Sequence, residues 1–66
     1  MHPVYHARQA FIDQIRRELG NNLFLISQIE GGLLRPHRNG VDITEECLAD
    51  ARQRAITAQG ILRTYA

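Results

Sequence analysis

The sequence predicts an all-α protein, an antiparallel helical hairpin that completes a helical bundle by association. Two patterns lead to this prediction. Apolar residues recur every seven positions through the first half of the chain, and small residues recur at contact positions in the second half. A short segment rich in turn-forming residues separates them, so we expect two helices that fold back on each other.

The length of the chain predicts one small domain, residues 1–66, with a thin core. A chain of this length buries only about 60% of its unfolded surface, so disulfides, a metal or another chain usually support the fold. The one cysteine, Cys47, cannot form an intrachain disulfide, and no metal-binding or cofactor-binding pattern is apparent. We therefore expect a homo-oligomer, most simply a dimer, or a complex with a helical partner protein.

The charge and apolar runs of the chain argue against nucleic acids and membranes as binding partners. The formal net charge of +1 speaks against a strong nucleic-acid binder, which normally carries a clear basic excess. The longest apolar run, residues 23–26, is far too short to cross a bilayer, and the N-terminal residues lack the apolar segment of a signal peptide. We expect a cytoplasmic protein with no membrane partner.

The first helix is predicted from about Pro3, which suits a first helical turn, to about Leu34. Its apolar residues with a spacing of seven are Tyr5, Ile12, Leu19, Ile26 and Leu33, and Ile15 and Ile29 fill the complementary row that Asn22 interrupts. Gly20 to Asn22 resembles a helix stop. The pattern therefore fits either one helix, kinked at most at Gly20, or two helices separated by a break at Gly20 to Asn22. The heptad phase is preserved across Gly20, which favours continuity.

A third interpretation makes residues 23–36 a β-hairpin. Leu23 to Glu30 and Leu33 to Pro36 would then be strands joined by a Gly31-Gly32 turn. The apolar run at residues 23–26 does not alternate, and an isolated hairpin is barely stable, so the helical interpretation is preferred.

Arg35 to Gly40 is predicted to be a loop, with a turn at Asn39-Gly40. The second helix follows at about residues 43–65, with Asp42 and Glu45 spaced as a variant of the capping box. Its contact series is Leu48, Ala51, Ala55, Ala58, Leu62 and Tyr65. Consecutive alanines let two helix backbones approach closely, so this side should receive the bulky residues of the first helix.

The expected protein interface combines both apolar series, with Leu23, Phe24 and Leu25 as an outer contact. Its residues are Ile12, Ile15, Leu19, Leu23, Phe24, Leu25, Ile26, Ile29, Leu33, Leu48, Ala51, Ala55, Ala58 and Leu62.

No set of residues predicts catalysis. His2 and His6 have the spacing of a metal pair on a helix, but no carboxylate or cysteine accompanies them locally. Cys47 is expected to be a small buried residue, because nothing holds His37 beside it as a base. No acid, base and nucleophile can be assembled, so we expect a protein that is not an enzyme and binds no cofactor.

One stretch suggests DNA binding. Arg17-Glu18-Leu19-Gly20, then Ser27-Gln28-Ile29-Glu30 with Gly32 and Pro36, resembles the helix-turn-helix of lambda-repressor-like regulators over residues 16–36. The resemblance implies a turn at Gly20 and a recognition helix that begins at Leu23 and Phe24, whose side chains cannot hydrogen-bond to a base edge. The residues left to contact DNA would be Asn22, Ser27, Gln28 and Arg35.

The sequence therefore supports two candidate functions. The first is a small helical interaction protein of the adaptor, inhibitor, antiactivator or chaperone type, which binds another protein through an apolar helix face. The alternative is a small transcriptional regulator that binds DNA through a degenerate helix-turn-helix. The first rests on fold-level analogy and the apolar pattern, and the second on the resemblance.

Overall fold

The structure is a computed structural model that describes the backbone of residues 3–66 and the side chains of residues 6–66. Its elements are the helix α1, Pro3–Glu30, the two-residue strands β1, His37–Arg38, and β2, Val41–Asp42, and the helix α2, Thr44–Tyr65. The two helices pack lengthwise against each other in opposite directions, so the predicted antiparallel helical hairpin is confirmed. Tyr5, in the predicted heptad series, lies outside the described side chains.

The contact between the helices is narrow. Three isoleucines of α1 face three alanines of α2, and each of the six is at most 7% exposed: Ile12, Ile15, Ile29, Ala51, Ala55 and Ala58. Among the described residues, the one buried polar side chain is that of Thr44, at the start of α2. Bulky isoleucines of α1 thus pack against small alanines of α2, as the two sequence patterns predicted.

The first helix is continuous through Gly20, Asn21 and Asn22, so the interpretation as two broken helices is wrong. Gly20 does not have a positive φ, and the Asn22 side chain donates to the backbone carbonyl of Glu18 at 2.8 Å without leaving the helix. Packing of the flanking heptad residues on α2 offsets the low helix propensity of glycine, which is about 1 kcal/mol.

The helix ends at Glu30, four residues before the predicted end, so the placement of Leu33 in the heptad series is wrong. Gly32 adopts a φ of 74°, and the N–H of Leu33 donates to the carbonyl of Gln28 at 2.9 Å. Together with the bond from Gly32 N–H to Ile29 O at 3.1 Å, this is a Schellman cap. The chain turns away from the helix axis, and Leu33 is 76% exposed.

The alternative β-hairpin at residues 23–36 is also wrong, because Leu23 to Glu30 belong to α1. A hairpin does occur within the predicted loop, where β1 pairs antiparallel with β2. Its turn is the predicted Asn39-Gly40, with φ values of 51° and 81°. Two consecutive positive φ angles match the type I′ turn that the sequence Asn-Gly favours.

We predict that enlarging the alanine row separates the helices. Ala51→Leu should lower the free energy of unfolding by about 1–3 kcal/mol, because Ala51 is 1% exposed and a larger side chain must push α1 away. Ala49→Leu, on the exposed side of the same helix, should change it by less than about 0.5 kcal/mol. Urea unfolding followed by circular dichroism at one fixed protein concentration checks this, and equal effects would contradict the assigned core.

A second prediction tests the continuity of α1. Gly20→Ala should raise the free energy of unfolding by about 1 kcal/mol, because a Cβ at Gly20 meets nothing within 4 Å and alanine favours a helix. Gly32→Ala should lower it, because Gly32 has a positive φ. Thermal unfolding of both variants measures the signs, and destabilisation by Gly20→Ala would indicate a turn at that residue.

Candidate interaction surface

The predicted interface residues divide into three groups by burial. The six described above form the seam between the helices. Five more are half-buried at its edges, namely Leu19, Leu25, Ile26, Leu48 and Leu62. The remaining three, Leu23, Phe24 and Leu33, are exposed, so the hairpin itself does not cover them.

Several apolar residues outside the predicted interface are also exposed, and one of them, Tyr65, belongs to the contact series predicted for the second helix. Ile56 of α2 is 61% exposed, and Phe11, Leu34, Val41 and Tyr65 also expose much of their side chains. The Phe11 and Tyr65 rings, in an edge-to-face arrangement with centroids 6.3 Å apart, join the two helices at the end opposite the loop. The sequence does contain a signal for the exposure of Ile56. This isoleucine follows the contact residue Ala55 by one position and therefore lies outside the alanine row.

One face of the hairpin, which we name the Leu23 face, carries Arg16, Leu23 and Glu30 of α1 and Arg52 and Ile56 of α2. The three α1 residues are spaced by seven and so share one side of that helix. Arg52 and Ile56 are four apart and share one side of α2. The two sides form one face, because Arg52 Nη2 and Glu30 Oε2 form an ion pair at 2.7 Å.

The opposite face holds an open groove of about 450 Å³ between the helices. Its walls are polar and its floor is apolar. The polar lining residues are Glu18, Asn21, Asn22, Gln53, Arg54 and Thr57, and the apolar ones are Ile15, Ala58 and Ile61. Arg54 is two positions from both Arg52 and Ile56, about 160° around α2, which places the groove on the other side from the Leu23 face. The exposed side chain of Ile56, at mid-length on α2, therefore lies away from the groove.

The residues that the alternative function assigned to DNA contact are largely engaged within the chain. Asn22 lines the groove, the Ser27 hydroxyl donates to the carbonyl of Phe24 at 2.7 Å, and Gln28 is half-buried. Arg35 forms an ion pair with Asp42 at 2.9 Å. Because α1 is continuous, the helix-turn-helix geometry that the resemblance implies is not formed by residues 16–30.

The residues considered for chemistry lie apart from one another. His37 Nδ1 donates to the backbone carbonyl of Arg35 at 2.6 Å, and Cys47 is half-buried beside Arg38, Glu46 and Asp50. Residues 6–66 contain no group of three histidine, cysteine or acidic side chains that could hold a metal ion. His2, half of the histidine pair, lies outside the described residues. Within residues 3–66, neither helix combines the length and apolar character needed to cross a bilayer.

Asp42 fixes the junction between the β-hairpin and α2. Its Oδ1 atom accepts hydrogen bonds from both the hydroxyl and the backbone N–H of Thr44, and its Oδ2 atom accepts one from Arg35. These hydrogen bonds hold the pKa of Asp42 well below its usual value, and the two from Thr44 contribute most. The predicted capping box of Asp42 and Glu45 is wrong, because the N-cap residue of α2 is Ile43 and no side chain caps the helix. Asp42 instead binds Thr44, the first residue of α2.

We predict that Asp42 makes the hairpin acid-sensitive. Because its pKa is lower in the folded chain, the ionised carboxylate stabilises the fold fully above the unfolded pKa of about 3.9. That stabilisation is lost as the pH falls through the folded value. Asp42→Asn should remove this part of the acid-dependent loss, whereas the charge-matched control Asp50→Asn should keep it. Urea unfolding at pH 6 and at about pH 3 measures the difference, and identical pH profiles would contradict the assignment.

No protein-family model, no curated protein and no solved structure matches the chain. The function is therefore inferred from the geometry of the chain itself.

Proposed function

We propose that this chain is a non-enzymatic helical interaction protein that binds another polypeptide through the apolar helix residues its own fold leaves exposed. Adaptors, inhibitors, antiactivators and small chaperones work in this way, and the proposal includes a regulatory role of one of these kinds. The proposal places the chain in the cytoplasm, where Cys47 would remain a thiol.

The observation that carries the proposal is the excess of accessible surface. The chain exposes 5126 Å², whereas a compact protein of 7.5 kDa exposes about 4,200 Å². The radius of gyration is 15.1 Å, against about 11 Å for a compact domain of this length. The elongated chain therefore has about 900 Å² of surface beyond that of a compact monomer, which another polypeptide can cover in part.

The residues on that surface support a protein partner. Phe24 is 66% exposed and Leu23 is 46% exposed in the C-terminal half of α1, and Ile56 is 61% exposed on α2. Single exposed apolar residues are ordinary on protein surfaces. Here, however, the buried seam contains only isoleucine and alanine, and none of the large described side chains is completely buried. The narrow seam thus leaves Leu23, Phe24 and Ile56 accessible to a partner.

Association of the purified chain, and capture of partners by it, test the proposal. We expect the tagged chain to form a homo-oligomer in sedimentation equilibrium, to retain a stoichiometric protein from extract of its native host, or both. Capture should fall when Leu23→Ser or Phe24→Ser is the bait, while Gln53→Ser, in the polar groove, should leave capture unchanged.

A cooperatively folded monomer that captures no protein would overturn the proposal. If that monomer instead bound duplex DNA with a steep dependence on salt, and if Gln28→Ala and Arg35→Ala weakened the binding, the chain would be a DNA-binding regulator.

A further inference from the structure

We propose that a second copy of this chain binds the Leu23 face, with α1 of the two copies antiparallel and Leu23 at the centre of their contact. This inference rests on the proposed function and identifies one partner and one surface for it. A two-fold axis would bring the same residues of both copies together, as in most homodimers.

The two exposed apolar residues of the Leu23 face lie at similar levels of the hairpin. Near one end Glu30 pairs with Arg52, and near the other Arg8 donates to the backbone carbonyl of Tyr65. Leu23 lies seven residues, about 10 Å, from Glu30, and Ile56 lies four residues, about 6 Å, from Arg52. A two-fold axis at the level of Leu23 can therefore pass within about 5 Å of the level of Ile56.

The charges on α1 are self-complementary about Leu23. Arg16 lies seven residues before Leu23 and Glu30 lies seven residues after it, on the same side of the helix. If two α1 helices pack antiparallel with Leu23 at the centre, Arg16 lies opposite the partner's Glu30, and Glu30 lies opposite the partner's Arg16. A parallel pair would instead place arginine opposite arginine and glutamate opposite glutamate, which is repulsive.

Both charged side chains remain accessible to a partner. Arg16 is separated from Asp13 by 3.9 Å, the longest ion pair among the described residues, and its side chain is 58% exposed. Glu30 pairs with Arg52 but remains 51% exposed, so a second arginine can approach the same carboxylate. The resulting cluster would hold one glutamate between two arginines at each end of the contact.

The excess surface of the whole chain is similar in size to the area that each partner buries in a dimer. Stable interfaces of standard size bury about 800 Å² on each partner, and this chain carries about 900 Å² more surface than a compact monomer. The opposite face is less suited to a second copy at mid-length, because polar side chains line its groove. Phe24 follows Leu23 by one residue and therefore points about 100° away around α1, outside the Leu23 face.

A pair of adjacent substitutions tests the surface. Wild-type chain should be a dimer in sedimentation equilibrium. Leu23→Asp should weaken dimerisation by about a hundredfold or more, because the dimer would bury two carboxylates near its axis. Phe24→Asp introduces the same charge at a more exposed residue and should leave the dimer within about threefold of wild type. Circular dichroism establishes that both variants stay helical, and Ile56→Ser provides a milder variant of the same face.

Mixed charge reversal tests the antiparallel direction. Arg16→Glu alone and Glu30→Arg alone should each weaken the dimer by about fivefold to tenfold, since each creates two repulsive pairs. In an equimolar mixture of the two variants, each heterodimer regains two attractive pairs. The introduced glutamate faces the introduced arginine, and the unchanged Arg16 of one chain faces the unchanged Glu30 of the other. The heterodimer should therefore approach wild-type strength, whereas an intrachain effect of either substitution would not be rescued by mixing.

Several outcomes would overturn the inference. These are a mixture no stronger than its separate components, a dimer that Phe24→Asp breaks and Leu23→Asp spares, or a wild-type chain that stays monomeric at all concentrations. A monomer that still captures a different host protein would refute this inference and leave the proposed function standing. A monomer that captures nothing would refute both.

Discussion

The close approach of an isoleucine row on α1 to an alanine row on α2 is the contact on which the rest of the fold depends. The small side chains of Ala51, Ala55 and Ala58 bring the two backbones near enough for Ile12, Ile15 and Ile29 to be buried. The small size of this contact also limits the core, because a seam one residue wide covers only one side of each helix. Apolar residues at other angles around α1, such as Leu23 and Phe24, are consequently left to solvent or to another chain.

The reversal of the chain depends on backbone conformation more than on apolar packing. Gly32 ends α1 in the left-handed region, and Asn39 and Gly40 turn the short β-hairpin. Asp42 then ties the second strand to the first residue of α2 through Thr44. Each of these residues supplies a conformation or a hydrogen bond that an average residue lacks. A segment whose apolar side chains are mostly exposed therefore still directs α2 back along α1.

Residue patterns predicted the two helices, the alanine seam and the Asn39-Gly40 turn, because periodicity and turn chemistry are local properties. They misplaced Leu33, since counting by sevens ignores the left-handed cap that Gly32 forms two residues after Glu30. They placed Leu23 and Phe24 in an outer contact but did not identify what covers them, because an apolar residue carries no information about its neighbours. Ile56 was missed because it lies outside the contact series of the second helix, and it is 61% exposed.

The hydrogen bond between Arg8 and the carbonyl of Tyr65 places the beginning of α1 and the end of α2 at one pole of a rod 50 Å long. The Asn39-Gly40 turn occupies the other pole. Fluorophores attached near either terminus would therefore report from the same end of one subunit. If two subunits pack antiparallel about a two-fold axis, the fluorophores of the two subunits would be separated by nearly the full rod, too far apart for contact quenching.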